Sequence, residues 1–315
     1  MSISDIPSIV TLSNSGKKHI VVLYGGMSPE RDISIISGQS VGKGLIELGY
    51  KVTLLDMNTD LVNNIISLKP DIVFNALHGT YGEDGCVSGI LNILKIPYTS
   101  SGILASSIAM NKKFANNFFL FHDIKSPKSI ILDKKDVINF SKKPPYVIKP
   151  INQGSSIGIQ VILPEDNFQI SEYEFLYGDQ VMIEDYIKGK EIQVAVLNGK
   201  ALGALELKIL ENRFFDYHTK YTEGAAQHIM PARLNKKNYQ KSLDIAEKVY
   251  HAIGCRGIAR VEFIYKEQED ELYFFEINTN PGMTPISICP DIALYFNISF
   301  NQLLETILSS ATYDK

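Results

Sequence analysis

The chain has 315 residues, 45% hydrophobic and 21% charged, the balance of an ordinary folded protein with room for two or three packed domains. Its net charge of −4, from 31 basic and 35 acidic residues, speaks against a broad nucleic-acid-binding face, so any anionic ligand must be met by locally placed cations or metal ions. No run approaches the roughly 18 apolar residues of a membrane span, and Cys86, Cys255 and Cys289 form no C-x-x-C pair, which predicts reduced thiols in a cytoplasmic protein.

Residues 1–18 have no basic stretch ahead of Ile9, Val10 and Leu12, and read as an extension before the first strand. His19–Tyr24 is that strand, broken by Gly25 and Gly26. A helix is expected from Pro29 to about Leu48, with Ser28 as its cap, Pro29 in its first position and Gly49 at C′. Strands at 51–56 and 71–76, a helix at 86–94 and a turn-rich stretch at 99–102 follow. This βαβ rhythm predicts an open parallel, Rossmann-like sheet with ligands at the carboxyl ends of its strands.

A helix is expected at 105–121, then short strands at 146–149, 158–162 and 181–184. The last third predicts strands at 192–197 and 201–209, an irregular stretch from 214 to about 230, and an amphipathic helix at 239–253. Two final strands and a terminal helix near 300–308 complete the chain, which contains no internal repeat. The architecture implied is a sheet domain followed by two α+β lobes.

The two final strands, 257–265 and 272–278, carry the densest chemistry. Paired as a hairpin, they set Glu262 opposite Glu276 and Arg260 opposite Asn278, with all four on one face and Val261, Phe263, Phe275 and Ile277 on the other. Two adjacent carboxylates repel each other, and a hard divalent cation removes that conflict. Two carboxylates and an amide oxygen are ligands that Mg²⁺ accepts alongside substrate phosphates. An isolated E-x-N would be no more than an ion-pair network with Arg260; here the hydrophobic flanks and the following Pro281 and Gly282 favour a site.

From Phe275 to Thr284 the run F-E-I-N-T-N-P-G-M-T, preceded by Arg260-x-Glu262 and followed by Ser287, resembles the metal-binding strands of the ATP-grasp carboxylate–amine ligases, and within them the D-alanine–D-alanine ligase family. The resemblance extends over most of the chain. It implies a Rossmann-like domain at 1–103, a central ATP-grasp lid at 104–186 and a catalytic ATP-grasp domain at 187–315. It further implies ATP as substrate, two Mg²⁺ or Mn²⁺ ions on Glu262, Glu276 and Asn278, two molecules of D-alanine, a role in peptidoglycan precursor synthesis, and a homodimer. Neither nucleic acid nor membrane is an expected partner. The family usually has aspartate where this chain has Glu262.

The other motifs are weaker alone. Gly25 and Gly26 make an ordinary turn, and Glu30 suits the first turn of any helix; the match of G-G-x-S-x-E-R to the family implies that Glu30 orients the amino group of the first D-alanine. Similarly, A-L-H-G-x-x-G-E-D-G implies that His78 lies beside that substrate, and M-N-K that Lys112 reaches nucleotide phosphate. Lys149 ends an apolar strand and needs an anionic partner or an exit to water. The loop after it, 152–158, is no Walker motif but offers free N–H groups to a phosphate; by resemblance it is the glycine-rich lid loop, with Ser155 closing over substrate and Ser156 on ATP. Gln153 stands where many relatives have glutamate.

By the same resemblance Glu184 and the backbone beside it line the adenine pocket, Asp185, Ile187 and Phe215 bind ATP, and Glu191 binds ribose. Lys220 contacts phosphate and the second carboxylate, while Tyr221 hydrogen-bonds Ser155. Arg260 and the Gly282 N–H stabilise the tetrahedral oxyanion, and Ser287 holds the second carboxylate. A lysine–tyrosine pair there favours an amine as acceptor over D-lactate. An NAD-dependent dehydrogenase is the competing reading, from the first βαβ unit and Asp56 after its second strand, but G-x-G-x-x-G is absent.

Overall fold

In the computed structural model, residues 9–11, 17–209 and 226–314 are described. The apolar run His19–Tyr24 forms β2, buried at every position, as the centre of a sheet must be. It pairs in parallel with β3 (Lys51–Asp56) and β4 (Ile72–Asn75), as the βαβ rhythm predicts. The β-branched Ile9–Thr11 adds an edge strand, β1, antiparallel to β3, so the order is β1-β3-β2-β4. The stretch read as a mere extension thus contributes a strand, and the sheet is mixed.

Helix α1 (Arg31–Glu47) begins later than expected. Ser28 is not its cap: its hydroxyl donates to the carbonyl of His78 (2.6 Å) and accepts from the N–H of Glu30 (3.1 Å), which ties two loops together instead. The C-terminal reading holds, with Gly49 in the left-handed region after Leu48. Two short helices follow, α2 (Leu61–Leu68), which the pattern analysis did not anticipate, and α3 (Cys86–Ile93). They cover one face of the sheet, where Val21, Leu23 and Leu55 pack against Ile65 and Leu91.

The helix expected at 105–121 is two helices, α4 (Ile103–Met110) and α5 (Lys112–Phe121). Asn111 breaks it with an extended backbone, and its side chain accepts from the N–H of Phe114 (3.1 Å), capping α5. The central sheet has the antiparallel order β5-β8-β6-β7, from β5 (Ser129–Asp133), β6 (Tyr146–Pro150), β7 (Gln160–Ile162) and β8 (Gln180–Asp185). It carries its own core of Leu132, Tyr146, Ile148, Ile162 and Ile183.

The third sheet, β11-β10-β9-β12-β13, is antiparallel throughout and comprises β9 (Lys190–Leu197), β10 (Lys200–Ile209), β11 (Ala226–Ile229), β12 (Ile258–Lys266) and β13 (Glu271–Asn278). Strand β11 falls in the stretch read as irregular. One face carries α6 (Lys236–Ile253) together with α4 and α5, so Phe119 packs in the same cluster as Val194, Val261 and Phe263. The other face meets α7 (Ile288–Tyr295) and α8 (Phe300–Ser309), and through them α1. Ile20, Val22 and Tyr24 of the first sheet therefore share a core with Ala195, Leu197 and Ile258 of the third. The last residues return to the first sheet, where Asp314 pairs with Arg256 (2.5 Å) and accepts from Asn92 (2.9 Å). No helix among the described residues is long and apolar enough to cross a membrane.

Candidate active site

The hairpin has the register read from its alternation: Arg260 faces Asn278 and Glu262 faces Glu276. One expectation fails. A bulge between Glu262 and Phe263 sets Phe263 opposite Phe274, so Phe274 is buried in the core and Phe275 is turned toward the site. The extra residue shifts the alternation by one, leaving Phe275 and Glu276 side by side on cavity walls.

Two clefts meet at Glu276. The first, enclosing about 920 Å³ with open solvent included, is lined by Glu30, His78, Lys112, Ser155, Arg260, Asn278, Gly282 and Ser287. The second, about 700 Å³, is walled by Val147, Ile159, Val161, Ile187, Ile264 and Phe275, with Ser156, Glu184, Asp185, Glu191 and Glu262 among them. All the predicted site residues within the described stretches thus gather on these two clefts or, for Lys149, in a smaller one beside them. Phe215, Lys220 and Tyr221 lie outside the described residues.

In the first cleft Glu30 is buried to 3% exposure and accepts from the Ser155 hydroxyl, which joins the turn after β2 to the loop after β6. That loop comes close because it is glycine there: a Cβ on Gly154 would sit 2.9 Å from Glu30 Oε1. Ser155 and Ser156 both hold positive φ, a strained backbone of the kind that clusters at ligand-binding loops. His78 is buried, its Nε2 at 2.9 Å from Ser37 and its Nδ1 at 3.3 Å from Glu83, so Ser37 and Glu83 fix the ring. Lys112 Nζ donates to the Gln153 carbonyl (2.5 Å), and Ser287 Oγ bonds Thr284 Oγ1 (2.8 Å).

Of the two options its apolar strand left, an anionic partner or an exit to water, Lys149 takes the first. It pairs with Glu184, both almost fully buried, and its ammonium lies 3.6 Å from the centroid of Phe275. Asp185 meets Lys142 (2.7 Å) at a more open position. Arg260 donates through Nε (3.0 Å) and Nη2 (2.5 Å) to Glu262 Oε1. Burial works most strongly against the guanidinium charge, but Glu262 together with the neighbouring Cys289 and Glu276 turns the net shift of the Arg260 pKa upward. Burial pushes the neighbouring Cys289 thiol up to about 12, so it remains protonated and unsuited to nucleophilic work.

The donor set at the hairpin fits a hard divalent cation. Glu262 is held by Arg260 on one oxygen and by Gln193 Nε2 (3.1 Å) on the other, while Glu276 forms no hydrogen bond or ion pair among the described residues. Among those residues no three His, Cys, Asp or Glu side chains converge. Two carboxylates and one amide between the clefts suit an ion that completes its shell with phosphate oxygens.

Sequence reading missed three residues here. Gln193, fully buried on β9 opposite Glu262, also donates to Glu191 Oε1 (2.8 Å) and so links the two carboxylates. His228 and Asp291 form a 2.6 Å pair, and His228 lines the first cleft. Gln193 had a signal, an amide at the fourth position of a strand, two residues after Glu191; the His228–Asp291 pair spans 63 residues and had none. Asp56, which favoured a dinucleotide site, is engaged on both oxygens by Arg31 (2.5 and 2.7 Å) and accepts from the Gly26 N–H (3.2 Å), a structural ion pair at the turn.

Residues 60–101 match the family model for the D-ala D-ala ligase N-terminus, and 118–309 that for its C-terminus. The chain is 56% identical to the D-alanine–D-alanine ligase of Rickettsia massiliae over 96% of its own length and 95% of that protein's. The Rickettsia bellii ligase is likewise 56% identical, over 97% and 96%. Among solved structures, the Bacillus anthracis D-alanine–D-alanine ligase complexed with ATP superposes with a TM-score of 0.81 at 29% identity, over 93% of this chain and 97% of that one. The VanG D-Ala:D-Ser ligase of Enterococcus faecalis gives 0.78 at 27% identity, over 93% and 98%.

Proposed function

The chain belongs to the D-alanine–D-alanine ligase family, and we propose that it joins two D-alanines at the expense of ATP, supplying a dipeptide for peptidoglycan synthesis. It is an ATP-dependent ligase of ATP-grasp fold that forms a carbon–nitrogen bond. The observation that carries the reading is the Glu262–Glu276 pair standing between a charged cleft and an apolar one.

A free carboxylate does not acylate an amine in water, so the first D-alanine is activated as an acylphosphate by ATP. In the apolar cleft, Ile187 flanks the adenine, Glu184 and Asp185 accept from it, and Glu191 accepts from the ribose hydroxyls, while Phe215 is assigned to ATP by the family resemblance alone. Lys112, Lys149, Ser156 and Lys220 hold the phosphates. Mg²⁺ or Mn²⁺, as two ions on Glu262, Glu276 and Asn278, would supply charge neutralisation to the phosphoryl oxygens when bound. In the charged cleft Glu30 accepts from the ammonium of the first D-alanine, beside His78, and Ser155 with Tyr221 closes the loop over it. Ser287 and Lys220 hold the carboxylate of the second. Arg260 and the Gly282 N–H then stabilise the tetrahedral oxyanion. Most of the acceleration comes from positioning and exclusion of water.

We further assign 1–103 to the Rossmann-like domain, 104–186 to the lid and 187–315 to the catalytic domain, and infer a cytoplasmic homodimer. The separate core of the central sheet supports its movement as a lid. Given ATP, Mg²⁺ and D-alanine, the purified protein should release ADP and phosphate in step with D-Ala-D-Ala; phosphate release indifferent to D-alanine would sink the proposal. The likeness to a D-Ala:D-Ser ligase makes the acceptor worth its own test. D-Alanine should outcompete D-serine and D-lactate for the second position across a pH series.

A further inference from the structure

The second D-alanine enters as an ammonium ion with no lone pair, so a proton must leave its nitrogen before it can attack. None of the residues given a role above is a neutral base at the acceptor end of the cleft. His228 on β11 lines the first cleft together with Gly282, Ser287 and Arg260. Its Nδ1 lies 2.6 Å from Asp291 Oδ2, at 24% and 30% side-chain exposure, and Nε2 has no hydrogen-bond partner among the described residues. A carboxylate only accepts, so Nδ1 carries the proton shared with Asp291, and Nε2 is the ring nitrogen left to exchange one. Asp291 stands one helical turn beyond Ser287 on α7, its N–H donating to the Ser287 carbonyl (2.9 Å). The dyad is therefore anchored to the element that holds the second carboxylate.

We propose that His228, oriented by Asp291, is the general base that deprotonates the second D-alanine; this rests on the ligase reading above. Nε2 takes one proton from the ammonium, and the freed lone pair forms the N–C bond to the acyl carbon. The C–O bond to phosphate breaks with its electron pair on the leaving phosphate, and the remaining excess proton on nitrogen passes to solvent. Asp291 stabilises the imidazolium as it forms. The other charged groups lining the cleft are Glu30 and Glu83 from the first-domain loops, Lys112 on α5, Arg260 on β12 and Glu276 on β13. Arg260 suits the oxyanion, and Glu30 lies with the first substrate, so neither competes for this proton.

His228→Gln separates the steps. At pH 7.5 its dipeptide kcat should fall by about 10²- to 10⁴-fold, the contribution of a positioned base. D-alanine-dependent isotope scrambling between the bridge and non-bridge oxygens of ATP reports acylphosphate formation and should stay near wild type. Hydroxylamine, already neutral at this pH, should trap the acylphosphate equally fast in both proteins. Asp291→Asn, which keeps the ring, should lose dipeptide synthesis in the same selective way, with thermal melts showing both variants folded. Equal loss of hydroxamate and dipeptide, unchanged dipeptide synthesis, or a raised KM for the acceptor at unchanged kcat would each overturn the base role. A wild-type protein that makes no D-Ala-D-Ala would overturn the ligase reading itself.

Discussion

The two clefts that share Glu276 are made of different material. The charged one is assembled from loops and helix ends of all three units, with Glu30, His78, Ser155 and Ser287 arriving from positions far apart in the chain. The apolar one is walled mainly by strand residues of the central and third sheets, with Val147 and Val161 on one side and Ile264 and Phe275 on the other. The difference suits what each is proposed to recognise, the amino acids in the first and the nucleotide in the second. A small zwitterion offers little apolar area and must be fixed by opposed charges, whereas a flat heterocycle is held by area and oriented by a few polar groups. Glu276 stands where the two needs meet.

Removing that shared wall should give the largest effect. Glu276→Ala should reduce turnover by at least about 10²- to 10³-fold, the scale of losing one preorganised electrostatic group, with melting unchanged because Glu276 anchors nothing in the described structure. Normal kcat in this variant would separate the clefts functionally. Next is Lys149→Met, which leaves Glu184 charged and buried under the apolar cleft. It should cost about 3–5 kcal/mol of stability in urea unfolding, with part restored by adding Glu184→Leu.

Two smaller substitutions should sort cleanly between the clefts. Phe275→Ala removes apolar wall and the ring beneath Lys149, and should raise the KM for ATP about tenfold, the worth of one or two kcal/mol, with that for D-alanine unchanged. Gly154→Ala puts a methyl group 2.9 Å from Glu30 Oε1 and should do the reverse, raising the KM for D-alanine by several-fold. A shift of both constants in either variant would break the division. The smallest effect lies outside both clefts: burial and neighbouring Asp84 push the Cys86 thiol up to about 11. Its alkylation should be slow at pH 7.5 and accelerate as pH rises toward 11, and Asp84→Asn should speed it at neutral pH.

Much of the site was legible because it sits on regular structure. Alternation alone gave the register of the hairpin, since a one-residue slip would exchange its apolar and polar faces. For Lys149 the apolar strand left an anionic partner or an exit to water, and Glu184 supplies the first. What escaped was non-local or locally irregular. The bulge that turns Phe275 toward the apolar cleft leaves no mark on a pattern of apolar residues. Ser28 looks like a helix cap because the chain does not reveal that His78, fifty residues on, takes its hydroxyl. Asn111 splits the run by capping the second helix, its side chain accepting from the N–H of Phe114, which periodicity does not register.

By itself the sequence determined the strands and helices with strong periodic signals, the pairing of Glu262 with Glu276, and a motif order that ties the chain to a family. These rest on local geometry: side-chain period, turn residues and the two-residue repeat of a strand. Tertiary structure alone decided that the first and third sheets share one core, that α4 and α5 pack on the third sheet, and that Glu30 meets Ser155 across 125 residues. It alone set His228 against Asp291 on the wall of the charged cleft. Such contacts follow from which apolar faces find one another when the chain collapses, and that is a property of the whole packed molecule.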